Sequence, residues 1–291
     1  MLYITRDNAA VSCTAMIKET ALEAICTYFG TSPNKVATIG DGIADIGFMT
    51  APGIGFCGAP ANASQRVKDA VLTNGGHVSK KRTFAGVSEV YKLSAEKGMQ
   101  VYLSDKDGCL QEPGDFSGAV QISKWLNGAG IEGPQICIIT GSSAAQNAKF
   151  IEECVNGARV NPYILEHPEI IWAENGAIRI NVITGETSSN VDPGLEYFLN
   201  KELKPLTDRI LADSMSPSGA MHAYTLSMHY NDQDGKIFSP AKNSAVTYNI
   251  PRGRNGNPGF RETEQAERLR EDLVTVFEIA LNMLGVKYQV I

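Results

Sequence analysis

The sequence has no excess of positive charge and no long apolar segment. Its 26 Lys and Arg residues are outnumbered by 32 Asp and Glu residues, which gives a formal net charge of −6 at pH 7. A chain without a basic excess lacks the electrostatic footprint of proteins that bind nucleic acid or an anionic membrane surface. No apolar run approaches the ~20 residues that a transmembrane helix needs. We therefore expect neither nucleic acid nor a membrane among the partners.

Signals for export and for cysteine-based metal binding are also missing. The first residues lack the charged start and long apolar core of a signal peptide. The chain has 6 cysteines and 4 histidines, scattered without the paired spacing of a metal site, so we assign the histidines no catalytic role. Most of the cysteines lie in apolar segments, where buried free thiols are expected rather than disulfides. These observations predict a cytoplasmic protein.

Between residues 17 and 149, strand-like and helix-like patterns alternate. The short apolar runs Val36–Ile39, Val101–Leu103 and Ile136–Ile139 are typical of buried strands, whereas residues 17–29 have apolar side chains at helical spacing. Strands that alternate with helices favour a parallel sheet with helices on its faces. We therefore predict an α/β fold with a Rossmann-like parallel sheet as the core of the protein.

The pattern changes after about residue 150. Asn175-Gly176 separates two apolar runs and is a strong hairpin signal. A long helical pattern over residues 262–284 follows further strand-like segments. Hairpins combined with helices in one region are typical of an α+β domain. We predict two domains, a core of residues 17–149 and an α+β domain of residues 150–291 plus 1–16.

Two acidic clusters directly follow predicted buried strands. The first is Gly40–Asp45, and the second is Asp105–Gly108. In an open parallel sheet, ligands bind beyond the carboxyl ends of the strands, and carboxylate oxygens suit a hard cation such as Mg²⁺. An aspartate there can attack phosphorus to form an acyl phosphate, while a carboxyl group two residues further on protonates the leaving oxygen. Asp105 and Asp107 have this spacing, which indicates phosphoryl chemistry.

Four segments together resemble the motifs of the haloacid dehalogenase superfamily. Asp105–Leu110 is similar to the first motif, Ile136–Ser142 to the second, Lys18–Leu22 to the third and Gly40–Asp45 to the fourth. In the family the order is first, second, cap, third, fourth, whereas here the third and fourth motifs come first. The resemblance implies a circularly permuted fold, with residues 150–291 as the large cap of Cof-type and sugar-phosphate phosphatases.

The resemblance also implies roles for the acidic residues. Asp105 would be the nucleophile and a metal ligand. Asp107 would be the general acid and base, with its backbone carbonyl on the metal. Asp41 would bind Mg²⁺, with Asp45 as a supporting metal ligand.

The same resemblance assigns the phosphoryl-binding groups. Lys18 would offset the charge of the nucleophile and the phosphate, and it counts among the catalytic residues. Thr140 and Gly141, at the end of the second motif, would also hold the phosphoryl group. Arg252 and Arg254, in a segment of the cap rich in Gly and Asn, are candidates for contacts with an anionic substrate.

The function implied is a magnesium-dependent phosphatase that acts on a small phosphate ester. The substrate would be a sugar phosphate or a phosphoglycerate-type ester, cleaved through an aspartyl-phosphate intermediate by a monomer or homodimer. A phosphomutase of the same fold and a non-catalytic metabolite-binding relative remain open. The last alternative is suggested by Cys109 and Ala44, which replace the Thr and Asn usual in the first and fourth motifs.

The sequence also predicts two hairpin turns, and it leaves open one alternative assembly of the site. Asp232–Gly235 lies between strand-like segments and is expected to be a hairpin turn, not a second catalytic motif. The chain begins and ends in strand-like segments, Leu2–Thr5 and Val286–Ile291, which we expect to pair so that a hairpin turn could connect them. The motif order is also compatible with a swapped dimer, in which residues 1–99 complete the site of a neighbouring molecule.

Overall fold

A computed structural model describes residues 1–7, 10–112, 124–125, 133–158, 162–215, 219, 221, 225–227, 236–251, 261 and 263–291. Within these residues the chain forms two compact units. One is Ile17–Asn190, and the other combines Met1–Met16 with Val191–Ile291. The boundary that we predicted at residues 149 and 150 therefore differs from the division in the structure, which falls after Asn190.

The strands of the described chain are, in sequence order, β1 (Leu2–Arg6), β2 (Ala10–Thr14), β3 (Val36–Ile39), β4 (Phe56–Ala59), β5 (His77–Val78), β6 (Val101–Asp105), β7 (Gln135–Ile139), β8 (Ile171–Ala173), β9 (Ile178–Ile180), β10 (Thr187–Ser189), β11 (Thr225–Ser227), β12 (Lys236–Phe238), β13 (Ala245–Asn249) and β14 (Tyr288–Val290). The α-helices of the described chain are α1 (Lys18–Tyr28), α2 (Ile46–Met49), α3 (Gln65–Thr73), α4 (Thr83–Glu96), α5 (Ala148–Ala158), α6 (Pro162–Glu166), α7 (Pro193–Tyr197), α8 (Lys204–Ser214) and α9 (Glu264–Met283). A π-helical segment, Phe198–Leu203, connects α7 to α8.

The unit Ile17–Asn190 is built on a sheet in the order β10-β9-β8-β7-β6-β3-β4-β5. The strands from β8 to β5 are parallel, and β9 and β10 add an antiparallel edge. Every residue of β3, β4 and β6 is buried, as expected for a parallel sheet that helices cover on both faces. The prediction of a Rossmann-like α/β core is confirmed.

Helix α1 carries Lys18 in its first turn. Thr20 Oγ1 accepts a hydrogen bond of 3.2 Å from the backbone N–H of Ile17, which fixes the start of the helix. Apolar residues at helical spacing bury one face of the helix, as the sequence pattern predicts, and Lys18 is buried with them. Gly30 has φ +61°, a conformation that favours glycine and ends many helices.

The hairpin signal at Asn175-Gly176 is confirmed, but it belongs to the unit Ile17–Asn190. β8 and β9 pair antiparallel around Glu174–Gly176, while β8 also pairs parallel with β7. The backbone φ angles of the three turn residues are all positive, at 52°, 60° and 98°. Because β8 to β10 extend the sheet that contains β7, the segment up to Asn190 packs with the core, and this is the reason for the shifted boundary.

The second unit contains a sheet in the order β11-β12-β13-β2-β1-β14. Its long helix α9 begins at Thr263, whose Oγ1 accepts a hydrogen bond of 3.2 Å from the backbone N–H of Ala266. One face of α9 is buried in an apolar cluster with residues from the sheet and from α8. The long helix and the α+β arrangement predicted for this region are therefore found.

The expected hairpin connection between the terminal strands needs correction. β1 and β14 are neighbours, but they pair parallel, with Leu2 opposite Tyr288 and Ile4 opposite Val290. β11 and β12, which flank the predicted turn at residues 232–235, also pair parallel. Parallel neighbours need a crossover connection, which a hairpin turn cannot provide. Residues 232–235 themselves lie outside the described residues.

Among the described helices, none is long and apolar enough to cross a bilayer.

Candidate active site at the carboxyl edge of the parallel sheet

A buried lysine connects two of the predicted acidic residues. Lys18 Nζ donates hydrogen bonds to Asp45 Oδ1 at 2.5 Å and to Asp105 Oδ1 at 2.6 Å. Lys18, Asp45 and Asp105 are 8%, 2% and 7% exposed, so the charges face one another with little solvent between them. This contact joins the first turn of α1 to the end of β6, within a single chain.

The electrostatics of Lys18 follow from these partners. Burial alone would lower the pKa of Lys18, but the carboxylates of Asp105 and Asp45 outweigh burial and raise that pKa above its ordinary value. The ammonium group therefore stays protonated throughout the neutral range. It can neutralise negative charge at the end of β6 and then on a phosphoryl group placed there.

Asp45 uses both of its carboxylate oxygens in the fold. Oδ1 accepts from Lys18, while Oδ2 accepts from the backbone N–H groups of Asp41 and Gly42 at 3.1 and 2.9 Å. The carboxylate thereby closes the turn after β3 and aims Lys18 at the neighbouring strand. This geometry makes Asp45 a positioning residue, whereas the sequence predicted it as a supporting metal ligand.

Burial of Asp41 and Asp105 disfavours the ionised form of both carboxyl groups. Burial, together with the charge of Asp45, raises the pKa of Asp41 to about 7, against the opposing charge of Lys18. Burial also raises the pKa of Asp105 well above its ordinary range, against the opposing effect of Lys18. Carboxyl groups crowded in this way gain from a nearby cation, which favours their ionised forms.

The loop after β6 has a tight, internally bonded turn. The backbone N–H of Gly108 donates to the carbonyl of Gln111 at 2.7 Å, and that of Leu110 donates to the carbonyl of Lys106 at 2.8 Å. Gly108 has φ +80°, which favours glycine. Asn62, which the sequence patterns do not single out, donates from Nδ2 to the Gly108 carbonyl at 2.7 Å and so ties this loop to the segment after β4.

Asp107 lies in the same loop and is more exposed than Asp105. Its carboxylate forms an ion pair with Lys106 Nζ at 3.1 Å and accepts a hydrogen bond of 3.2 Å from Gln111 Nε2. The Asp107 side chain is 33% exposed. Lys106 is 3% exposed, with Nζ 5.7 Å from the centre of the Phe150 ring. The sequence does not predict burial of Lys106, because a lysine between two aspartates is usually solvated. This partner of Asp107 was therefore missed from the sequence.

Thr140 and Gly141 follow β7 at the same edge of the sheet. Thr140 is 1% exposed, and its Oγ1 accepts a hydrogen bond of 3.2 Å from the backbone N–H of Ser142. The backbone N–H of Thr140 donates to the carbonyl of Trp172 at 3.0 Å, and its carbonyl accepts from Asn175 at 2.8 Å. The left-handed turn after β8 therefore holds the end of β7 from the side, a role that the hairpin signal did not indicate.

The donor atoms at this edge fit a divalent cation. Among the described residues, ligand atoms of Asp41, Asp105 and Cys109 all lie within 4.8 Å of one another. Two carboxylate oxygens suit Mg²⁺, which takes oxygen ligands and usually keeps several waters. Burial is the main cause of the raised pKa values of both carboxyl groups, and the neighbouring carboxylates add to it, so a cation bound here would favour their ionised forms.

The structure thus brings most of the predicted residues to one edge of one sheet. Asp41 follows β3, Asp105 ends β6 and Thr140 follows β7, and these strands are parallel neighbours. Arg252 and Arg254, the predicted substrate contacts of the second domain, lie outside the described residues.

Residues 6–90 match a family model described as haloacid dehalogenase-like hydrolase. The matched segment contains Lys18, Asp41 and Asp45, and it ends before Asp105. The match confirms the resemblance over the part of the chain that carries Lys18–Leu22 and Gly40–Asp45, and it supports a hydrolase of phosphatase type. No curated protein and no solved structure matches the chain.

Proposed function

Because residues 6–90 match the model of the haloacid dehalogenase-like hydrolases, we propose that the protein is a magnesium-dependent phosphatase for a small phosphorylated metabolite. The observation that carries the proposal is the position of Lys18, whose Nζ contacts Asp45 and Asp105 at 2.5 and 2.6 Å. A buried ammonium group between a positioning carboxylate and a carboxylate at a strand end suits a reaction in which negative charge accumulates at that point.

Asp105 is the proposed nucleophile. A carboxylate oxygen of Asp105 attacks phosphorus, forming an acyl phosphate bond while the bond from phosphorus to the ester oxygen breaks. The carboxyl group of Asp107 gives a proton to the departing oxygen. Water then loses a proton to the Asp107 carboxylate and attacks phosphorus, which breaks the acyl phosphate bond, releases inorganic phosphate and restores Asp105.

The surrounding groups hold the phosphoryl oxygens and the two carboxyl groups in place. Lys18 and the hydroxyl group of Thr140 are the proposed phosphoryl ligands, together with the backbone N–H of Gly141. Lys106 and Gln111 contact the Asp107 carboxylate at 3.1 and 3.2 Å, and so orient it. We propose that both are positioning residues for the proton transfer.

Mg²⁺ would be held by the carboxylates of Asp41 and Asp105 and by the backbone carbonyl of Asp107. When bound it would neutralise phosphoryl charge. Asp45 would act indirectly, because its oxygens accept from Lys18 and from the turn that carries Asp41.

Sugar phosphates and phosphoglycerate-type esters are the substrates that we propose to test. The four motifs come from one chain, and the contact of Lys18 with Asp105 supports a site completed without a swapped partner. The permuted order of the motifs is part of the proposal, and so is a monomeric or homodimeric state.

The test is release of inorganic phosphate from a panel of these esters with Mg²⁺. We expect turnover by the wild-type chain and by Asp69→Asn, whose carboxyl group is exposed on α3, and a loss of turnover in Asp105→Asn. Full turnover by Asp105→Asn would rule out the aspartyl-phosphate route. An isomerised sugar phosphate without free phosphate would identify a mutase, and binding without turnover would identify a non-catalytic relative.

A further inference from the structure

Cys109 places a sulfur atom beside the proposed metal ligands. The residue is 0% exposed, and its Sγ donates a hydrogen bond of 3.8 Å to Asp41 Oδ1. Its Sγ also belongs to the group of ligand atoms, with Asp41 and Asp105, that lie within 4.8 Å of one another. The first motif of the resembled family usually has Thr at this position, where this chain has a thiol.

The separation of the sulfur and the carboxylate oxygen agrees with ligation of one ion. With a metal–sulfur bond of about 2.3 Å and a metal–oxygen bond of about 2.0–2.2 Å, two ligands at a tetrahedral angle lie about 3.5–3.7 Å apart. The observed distance from Cys109 Sγ to Asp41 Oδ1 is 3.8 Å. A shift of a few tenths of an ångström would therefore let both atoms bind the same cation.

We propose that Cys109, Asp41 and Asp105 form a mixed sulfur and oxygen site that binds a thiophilic divalent cation, Zn²⁺ or Cd²⁺, more tightly than Mg²⁺. Thiolate ligands favour such ions, whereas Mg²⁺ takes oxygen. Binding replaces the S–H bond of Cys109 by a bond from sulfur to the metal, and the proton passes to solvent. The inference shares its carboxylates with the proposed phosphatase site and implies that Zn²⁺ or Cd²⁺ displaces Mg²⁺ there.

The test is a titration of the full-length, chelator-treated chain with Cd²⁺, followed by the ultraviolet charge-transfer band of a thiolate bound to cadmium. We expect a band that saturates at one Cd²⁺ per chain and disappears in Cys109→Ser. Cys26→Ser is the matched control, because Cys26 is a buried, free cysteine on α1 of the same unit. Loss of a partner that merely orients a ligand already costs roughly 10–100-fold in metal affinity, so Cys109→Ser should lower Cd²⁺ affinity at least tenfold.

A band that survives in Cys109→Ser, or one that never forms in the wild-type chain, would overturn the proposal. If Cys109→Ser does not fold, cadmium NMR of the wild-type chain decides instead. A chemical shift typical of one sulfur ligand supports the site, and a shift typical of oxygen ligands alone overturns it. Neither signal depends on turnover, so failure of the phosphatase proposal and failure of the sulfur ligand can be told apart.

Discussion

Lys18 Nζ lies 2.6 Å from Asp105 Oδ1, although 87 residues separate the two in the chain. The contact joins the first turn of a helix to the end of a strand that occurs much later in the sequence. It brings the segments Lys18–Leu22 and Asp105–Leu110, which are distant in the chain, together within the unit Ile17–Asn190.

Replacing Lys18 with Met should both destabilise the protein and remove its activity. The substitution leaves Asp45 and Asp105 buried without their cation, and breaking a buried ion pair from one side costs about 3–5 kcal/mol. Urea denaturation gives the stability, and phosphate release gives the activity. Lys35→Met, at an exposed position, should stay within about 0.5 kcal/mol of wild type. Equal effects of the two substitutions would contradict the role of Lys18.

Gly108→Ala should cost more than the backbone conformation alone explains. A Cβ at Gly108, where φ is +80°, would meet Asp41 Oδ2 at 2.0 Å. Gly185 has a similar φ of +75° with nothing within 4 Å, so Gly185→Ala reports the backbone cost alone, about 1–2 kcal/mol. Overpacking should add about 1–3 kcal/mol in Gly108→Ala. Denaturation of both variants measures the difference, and equal losses would show that Asp41 does not crowd this turn.

Thr140→Val should impair phosphate handling far more than folding. Valine keeps the shape of the buried side chain but removes the hydroxyl group proposed to bind the phosphoryl oxygens, and it also removes the acceptor of the Ser142 N–H, at a cost to stability of about 0.5–1.5 kcal/mol. Loss of one such donor typically costs roughly 10²–10³ in kcat. Thr140→Ser, which restores the hydroxyl group, should recover most of the rate. Steady-state phosphate release measures both variants, and a fully active Thr140→Val would remove Thr140 from the mechanism.

The free energy of unfolding of the metal-free protein should fall as pH rises from 3.8 to about 7. The lower limit is the ordinary pKa of Asp41, and the upper limit is its raised pKa in the folded protein. In this window the folded state holds a proton on Asp41 that the unfolded state has lost, so folding is favoured at the acidic end and the advantage is gone above the folded pKa. Each 1 kcal/mol lost lowers Tm by about 2–4 °C in a protein of roughly this size.

Thermal unfolding at several pH values, without metal, measures this slope. Asp41→Asn should flatten the slope, because the amide does not titrate, whereas the exposed control Asp69→Asn should leave it unchanged. Addition of a divalent cation should stabilise the wild-type chain most at the upper end of the window, where the carboxylates are ionised. An unchanged slope in Asp41→Asn would mean that another group causes it.

The sequence indicated the core fold and most of the acidic site, since local patterns carry that information. Buried strands of a parallel sheet appear as short apolar runs, and Gly40–Asp45 and Asp105–Gly108 stand directly after two of them. The sequence did not indicate that Lys106 would be buried against Asp107, or that Asn62 would tie down the turn at Gly108. Contacts of this kind depend on packing between distant segments and leave no periodic signal.

The sequence by itself determined which segments form strands and helices, which strand ends carry carboxylates, and that β1 and β14 would be neighbours. Only the tertiary structure decided that these two strands run parallel and that β8 to β10 join the sheet of the unit Ile17–Asn190. Strand direction and sheet membership depend on which distant backbone supplies the hydrogen bonds, and alternation of side chains is the same in either case. Local chemistry therefore fixed the components of the site, and the long-range pairing of strands fixed their assembly.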